Sequence, residues 1–516
     1  MKWTRGGSMT SEVTGEAGLR AGGREWAGLA VLALPTVLLA LDNTVLFLAL
    51  PHLSADLAAT PVQQLWIMDG YGFLIAGFLV TMGSLGDRIG RRRLLLIGAA
   101  AFGAVSVVAA YAPSAELLVA ARMLLGVAGA TLMPSALALI RLMFRDARQR
   151  GLAVGVFVSC FMGGGAIGPL VGGVLLEHFW WGSVFLAGVP VMVLLLGAAP
   201  FVLPADRGSG AGRPDLGSVA LSLGAVLLTV YGLKELAGGE GHWPALLAVP
   251  AGVALGYTFV RRQRRLADPL LDLRLFGDRL FGAALVILLL AMALQGGSYL
   301  LAGQYLQLVE GLSPLRAGLW LVPPALALAA GSLAAPLLAR RFGPAVVIAA
   351  GMAVSAGGFA LLTQVEPAGG PGLLTAGLVI AFLGAAPVGA LGIDLIVGSA
   401  PPDKAGSASS VSETSGELGI ALGVALLGSV AAVVYRASAA TGLPGAAPDA
   451  ARESLPGAAA AAADLPPGAA LDLLAAAAGA FTSGLHVVAG VAAAVSAGLG
   501  VLAVVALRRA RTQPES

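Results

Sequence analysis

The sequence predicts an all-α membrane protein of about fourteen transmembrane helices. Three observations lead there. Apolar residues are in excess, they gather in runs of about twenty, and the basic residues alternate between the connections that join those runs.

The 516 residues are 58% hydrophobic and only 11% charged, with a mean hydropathy of +0.88. A soluble chain carries roughly a quarter of its residues as charges, so the composition excludes an ordinary soluble domain. A pI near 9.2 would fit nucleic-acid binding, but the basic residues form short clusters between apolar runs rather than one soluble face. The lone Cys160 lies inside an apolar run and rules out a disulfide framework. His52, His178, His242 and His486 show no ligand spacing, so no metal or other cofactor is expected. The polar first 25 residues carry no evident cleavable signal, and the first apolar run is expected to act as its own insertion signal.

The apolar windows fall near 27–50, 65–86, 94–112, 116–140, 152–176, 183–204, 216–236, 243–260, 281–305, 317–338, 344–363, 372–399, 414–435 and 482–507. The seventh and eighth are the weakest, because Lys234, Glu235 and a Gly-rich link at 238–241 fray their junction. Loop charge tests the count independently, since cytoplasmic connections collect Lys and Arg. With the N-terminus inside, alternate connections hold 26 of the 31 basic residues on the cytoplasmic side. Only Lys234, Arg316, Arg436 and Arg452 fall outside, and Arg122 lies within a span. The expected location is the cytoplasmic (inner) membrane, multi-pass, with both termini cytoplasmic.

A weak internal repeat sets the domain organisation. Gly83-Ser-Leu-Gly-Asp-Arg-Ile-Gly-Arg-Arg-Arg follows the second span, while Gly331-Ser-Leu-Ala-Ala-Pro and Ala339-Arg-Arg-Phe-Gly343 follow the tenth. Spans 1–6 and 9–14 then read as related halves with spans 7 and 8 inserted. The expected division is a cytoplasmic tail (1–26), an N-terminal six-helix bundle (27–204), a linker carrying two helices (205–280), a C-terminal six-helix bundle (281–507) and a cytoplasmic tail (508–516). The Ala-, Gly- and Pro-rich segment 437–480 is expected to be a mobile extracytoplasmic loop with a short helix at 470–479.

Charges inside spans carry the functional signal, because a carboxylate or guanidinium at the bilayer centre costs roughly 2.5–3.5 kcal/mol even on a lenient scale. Asp42 sits in the first span, about eight residues or roughly 12 Å from its outer end at Leu50. It is either a structural acid bonded to a neighbouring helix or a site for binding and releasing protons. Asp69 lies about four residues into the second span, shallow enough to reach interfacial water. Trp66 and Tyr71 beside it read mainly as interface anchors, with aromatic walls for a cation as the other reading. Arg122 has no acid at i±3 or i±4, so it must snorkel or meet an acid from another helix, for which Asp42 is the candidate. Glu413 and Glu417, four apart, share one face of the thirteenth span. Glu413 reads equally as a solvated helix N-terminus, whereas Glu417, followed by eighteen uncharged residues, reads as a cavity position. Asp394 could cap a helix or pair with a loop arginine. In the fifth span, Gly163-Gly-Gly-Ala-Ile-Gly168-Pro169-Leu-Val-Gly172-Gly173 combines close-packing small residues with a helix-bending proline.

Together these motifs resemble the major facilitator superfamily, and within it the fourteen-span drug:proton antiporters that export quaternary ammonium compounds. Leu41-Asp42-Asn-Thr44-Val-Leu-Phe-Leu-Ala49-Leu-Pro51 and Trp66-Ile-Met-Asp69-Gly-Tyr71 are similar to that branch's signatures in helices 1 and 2. Gly83 to Arg93, with Gly83, Asp87, Arg88, Gly90 and Arg91, resembles the superfamily's conformational lock. Arg122 with Gly126 and Ala130 resembles its proton-coupling motif. Gly164, Gly168, Pro169, Gly172 and Gly173 resemble the antiporter motif, and Glu413 to Gly419 the acidic helix 13 segment. The second lock copy lacks its Asp, and no acid lies between Trp320 and Leu338, where some relatives carry one.

The resemblance implies a non-enzymatic, monomeric exporter that exchanges lipophilic cations for protons by alternating access in contact with membrane lipids. Asp42 and Arg122 would couple protons, and Asp69, Glu413, Glu417, Trp66 and Tyr71 would hold the cation. An exporter dedicated to one natural product is the rival, favoured by the Ala-, Gly- and Arg-heavy usage. A membrane-embedded enzyme lacks a clustered constellation, and a passive channel lacks a ring of acids at one depth.

Overall fold

The structure, a computed structural model, describes residues 21–205, 215–238, 243–266, 273–367, 369–399, 405–443 and 447–507. The end segments of both tails, Arg207, Arg213, Lys404 and the Asp87 side chain lie outside the described parts.

Among the described residues, fourteen long helices follow one another: α1 Gly23–Asp56, α2 Pro61–Ile89, α3 Arg91–Ala110, α4 Ala115–Met143, α5 Ala147–His178, α6 Ser183–Val202, α7 Leu216–Gly238, α8 Trp243–Gln263, α9 Arg279–Gln304, α10 Pro314–Phe342, α11 Pro344–Leu362, α12 Pro371–Gly398, α13 Ala405–Gly442 and α14 Pro467–Leu502. Ten are long and apolar enough to cross a membrane among the described residues, and eleven if the two arms of the bent α5 count as one span. Starts are written in the sequence. Thr60, Ser114, Asp146 and Asp278 accept hydrogen bonds from first-turn amides at 2.8–3.3 Å, filling donors that a helix leaves unsatisfied. Pro61, Pro314, Pro344 and Pro371 stand in first turns, where a missing N–H costs nothing.

The packing repeats itself. In the first half α1 lies on α5, α2 on α4, and α3 on α4 and α6; in the second α9 lies on α13, α10 on α12, and α11 on α12 and α14. The halves meet reciprocally, α2 on α13 and α10 on α5. This is a major facilitator fold of two six-helix bundles. The inserted α7 packs on α8, α2 and α13, while α8 packs chiefly on α7. The α7–α8 hairpin is tied at its base by Asp215, which pairs with Arg262 at 2.9 Å, and by Gln263, which donates to Ser218 at 2.6 Å.

Two expectations change. Segment 437–480 is largely helical: α13 runs to Gly442, short helices span Asp449–Glu453 and Leu455–Ala462, and the expected helix at 470–479 is the start of α14. Ala451, Leu455 and Ala458 are buried in the main core, and the Tyr435 hydroxyl donates to the Ala451 carbonyl at 2.7 Å. Small apolar side chains let this strap lie flush on the ends of α13 and α14, so an Ala-rich composition here signals close packing. Helix α13 also starts at Ala405, well before the expected boundary near 414.

Gly90 (φ +99°) ends α2 and Gly343 (φ +85°) ends α10, each amide closing on the carbonyl four residues back, Gly86 at 3.0 Å and Ala339 at 2.8 Å. The two copies of the repeat therefore share one turn, with Arg340 in the place of Asp87. Side chains strain such a backbone by about 1–3 kcal/mol. Gly343→Ala is expected to lower thermal stability by that order, whereas Gly372→Ala in α12, with no heavy atom within 4 Å of its new Cβ, should be neutral or slightly stabilising. Thermal unfolding of the solubilised variants checks the pair.

The hydrogen bond from Arg262, with further bonds from Ser218, holds the Asp215 carboxyl at about 2, below its usual 3.8. Because the folded value is depressed, the stabilisation is complete at neutral pH and is lost only as pH falls through the acid range towards 2. Hydrogen exchange at the hairpin base should speed up in Asp215→Asn near pH 7.

Candidate functional site

Arg122, 1% exposed, is the largest fully buried side chain among the described residues. Four helices position it. From α4, its Nη1 donates to Asp42 Oδ2 of α1 at 2.6 Å and its Nε donates to the Ile67 carbonyl of α2 at 3.1 Å. Its Cζ stands 4.4 Å from the centre of the Tyr71 ring (α2) and 6.0 Å from that of Phe185 (α6). Arg122 thus meets an acid instead of snorkelling. The ion pair, the carbonyl bond and the ring face together compensate a charge that the apolar surroundings would otherwise reject.

Asp42 is 8% exposed. Because α1 runs on to Asp56, it lies fourteen residues from the helix end, about 21 Å along the axis. The α5 glycines make room for this stretch of α1. A Cβ at Gly164 would strike the Val37 carbonyl, at Gly168 the Thr44 hydroxyl, and at Gly172 Val45 Cγ1 at 2.7 Å. Gly173 faces α10 instead, where a Cβ would stand 2.7 Å from Leu315 Cα. Between Gly165 and Ile167, one turn before Pro169, the axis of α5 bends by 42°.

Asp69 is 1% exposed and eight residues into α2, so it does not reach interfacial water as a shallow acid would. Tyr71 is corrected as well: at 1% exposure it is no interface anchor but the floor beneath Arg122. Its ring stacks under the protein's own cation, and its hydroxyl senses the charges of Asp42, Glu417 and Arg122. Trp66 is half-buried and packs edge-on to Phe73 at 6.4 Å.

Glu413 and Glu417 come from the other half. The Glu417 carbonyl and Ala421 flank Gly72 of α2, 3.7 and 3.1 Å from where its Cβ would stand. The early start of α13 puts Glu413 two turns inside the helix, beyond the first-turn reach of the dipole, so the reading as a helix N-terminus fails. Arg141, at the far end of α4, lies within electrostatic reach of Glu413. Asp394 is exposed and stands apart from this group. In the loop motif, Gly83 has open space around it, Arg88 is exposed, and Arg91 folds back over Gly86, its Cδ 2.8 Å from where a Cβ would stand. Sequence reasoning missed Phe185, the Ile67 carbonyl and Arg141. The carbonyl leaves no side-chain signal, and Arg141 is one basic residue among many.

The halves are joined away from the basic face. There a Cβ at Gly318 would meet the Pro169 carbonyl and one at Gly303 would stand 2.9 Å from the Phe47 carbonyl, Gln307 donates to the Leu48 carbonyl at 3.0 Å, and Phe47 stacks on Tyr299 at 5.7 Å. Towards the basic face, Gly83, Gly151 and Gly155 have no heavy atom within 4 Å of a new Cβ.

Residues 32–424 match the Major Facilitator Superfamily. The chain belongs to that superfamily. Like other members it is a transporter rather than an enzyme. It is 45% identical to the multidrug efflux pump LfrA of Mycolicibacterium smegmatis, over 90% of this chain and 92% of that one. It is 37% identical to the methyl viologen resistance protein SmvA of Salmonella typhimurium, over 80% and 84%. The tetracenomycin C resistance and export protein of Streptomyces glaucescens is 33% identical, over 80% and 77%. Among solved structures, a bacterial homologue of the human lysosomal transporter Spinster superposes with a TM-score of 0.70 at 16% identity, covering 96% of this chain and 100% of that one, which speaks for the superfamily fold alone.

Backbone cannot yield where a side chain can. Gly164→Ala, pressed on the Val37 backbone, should destabilise by about 1–3 kcal/mol and impair transport. Gly165→Ala, with open space, should do neither; expression, thermal unfolding and efflux of the two variants check this.

Proposed function

We propose that this transporter exports lipophilic cations in exchange for protons, by alternating access between its two bundles, with the basic face towards the cytoplasm. The observation that carries the reading is the buried Asp42–Arg122 pair, set across the seam from Glu413 and Glu417. In one state Arg122 is paired with Asp42. A proton arriving at Asp42 cancels the attraction and frees the guanidinium to reorganise. On α13, the two acids offer negative charge to a cation whose apolar groups would lie against Trp66 and Phe73. Tyr71, beneath Arg122 and in reach of Glu417, links the two places. Each chain has both halves, so a monomer suffices.

The similarity to LfrA and SmvA supports drug export and a cationic cargo. A single-product exporter is the second reading, favoured by the 33% identity to the tetracenomycin C exporter; a panel of unrelated dyes and quaternary amines separates the two.

In vesicles with an imposed pH gradient, Asp42→Asn should lower ethidium or tetraphenylphosphonium transport at least about tenfold while the protein stays folded in the membrane. Glu417→Gln should weaken cation binding, with the loss concentrated in KM. Undiminished gradient-driven transport in Asp42→Asn would refute the coupling role.

A further inference from the structure

Two glycines of α2 meet different neighbours along the seam between the halves. At Gly72 a Cβ would touch Ala421 of α13 at 3.1 Å. Five residues on, about 7.5 Å nearer the basic face, a Cβ at Gly77 would run into the Leu223 side chain of α7, with Cγ at 2.8 Å. Around them one apolar cluster joins Phe73 and Leu74 of α2 to Ala421 and Ala425 of α13, with Leu223 and Leu227 of α7 packed against it. Helix α7 therefore takes over against α2 where α13 leaves off. Glu413 stands one turn nearer the basic face than Glu417, about 6 Å, so the Leu223–Gly77 contact lies near its depth.

The hairpin that fills this gap is built as a separate piece. Asp215, Ser218, Arg262 and Gln263 bond α7 to α8, whereas the cluster that seats α7 on α2 and α13 is apolar. Such contacts can part and reform without stranding a buried donor or acceptor. Elements of this kind open locally at low cost.

We propose that α7 is a lateral gate. On the export reading above, a cation dissolved in the cytoplasmic leaflet reaches Glu413 and Glu417 between α2 and α13 when Leu223 leaves the hollow at Gly77. The leucine- and valine-lined face keeps the apolar groups of such a cation solvated while its charge approaches the carboxylates. A poorly partitioning cation would instead arrive from the aqueous phase on the basic side, without passing Leu223.

A tether tests this. Gly77→Cys with Leu223→Cys, in a Cys160→Ser background, should oxidise to a disulfide that fixes α7 on α2; the reduced form of the same protein controls for folding. Oxidation should lower transport of membrane-partitioning tetraphenylphosphonium at least about tenfold, reversibly with dithiothreitol, and leave methyl viologen within about twofold. Loss of both would make α7 part of the rocking machinery, and loss of neither would make it a passive wall; each overturns the gate. If methyl viologen is not carried, another poorly partitioning cation that the reduced protein does carry takes its place in this comparison. If the reduced protein moves neither cation, the export reading fails and the gate with it.

Discussion

A guanidinium buried among helices is the constraint on which the rest of this structure depends. Arg122 cannot reach water, so its charge is compensated where it stands, by Asp42, the Ile67 carbonyl and the Tyr71 ring. Removing one partner of such a pair generally costs about 3–5 kcal/mol, because the other charge is left uncompensated. On the proposed exchange, such a pair serves as a switch whose balance a proton tips.

The surrounding fold serves that pair. Glycines on α5 draw α1 close, fixing the stretch that carries Asp42, and the same helix passes Gly173 to α10 across the seam. One helix thus links the depth of the ion pair to the contact that closes the far side. The mirrored use of α2 on α13 brings Glu417 beside Gly72, one residue from Tyr71. Changes at Asp42 and at the α13 acids can therefore be felt by both seams through short, close-packed paths.

Much of this was legible in the sequence because the bilayer restricts what a chain may do. Apolar runs and alternating basic loops give the helices, and charges inside those runs single out Asp42, Arg122, Glu413 and Glu417. Depth and direction were less legible. Tyr71 near the start of a span looks like an interface anchor until the true start of α2 and the position of Arg122 are known. Asp69 looked shallow, and Glu413 looked terminal, for the same reason: helix ends extend beyond their hydropathy windows. The 437–480 segment looked loose because alanine gives little local signal, while its burial depends on partners far away in the chain. The seat of α7 against Gly77 is a tertiary fact with no local trace.

The most direct test of the central claim is proton release on cargo binding. Tetraphenylphosphonium is added to weakly buffered, solubilised protein and the pH change is followed. Release that is present in the wild type and abolished in Asp42→Asn, with the variant still binding the cation, is the expected result. Equal release from both proteins would contradict the account, because the exchanged proton would then reside elsewhere.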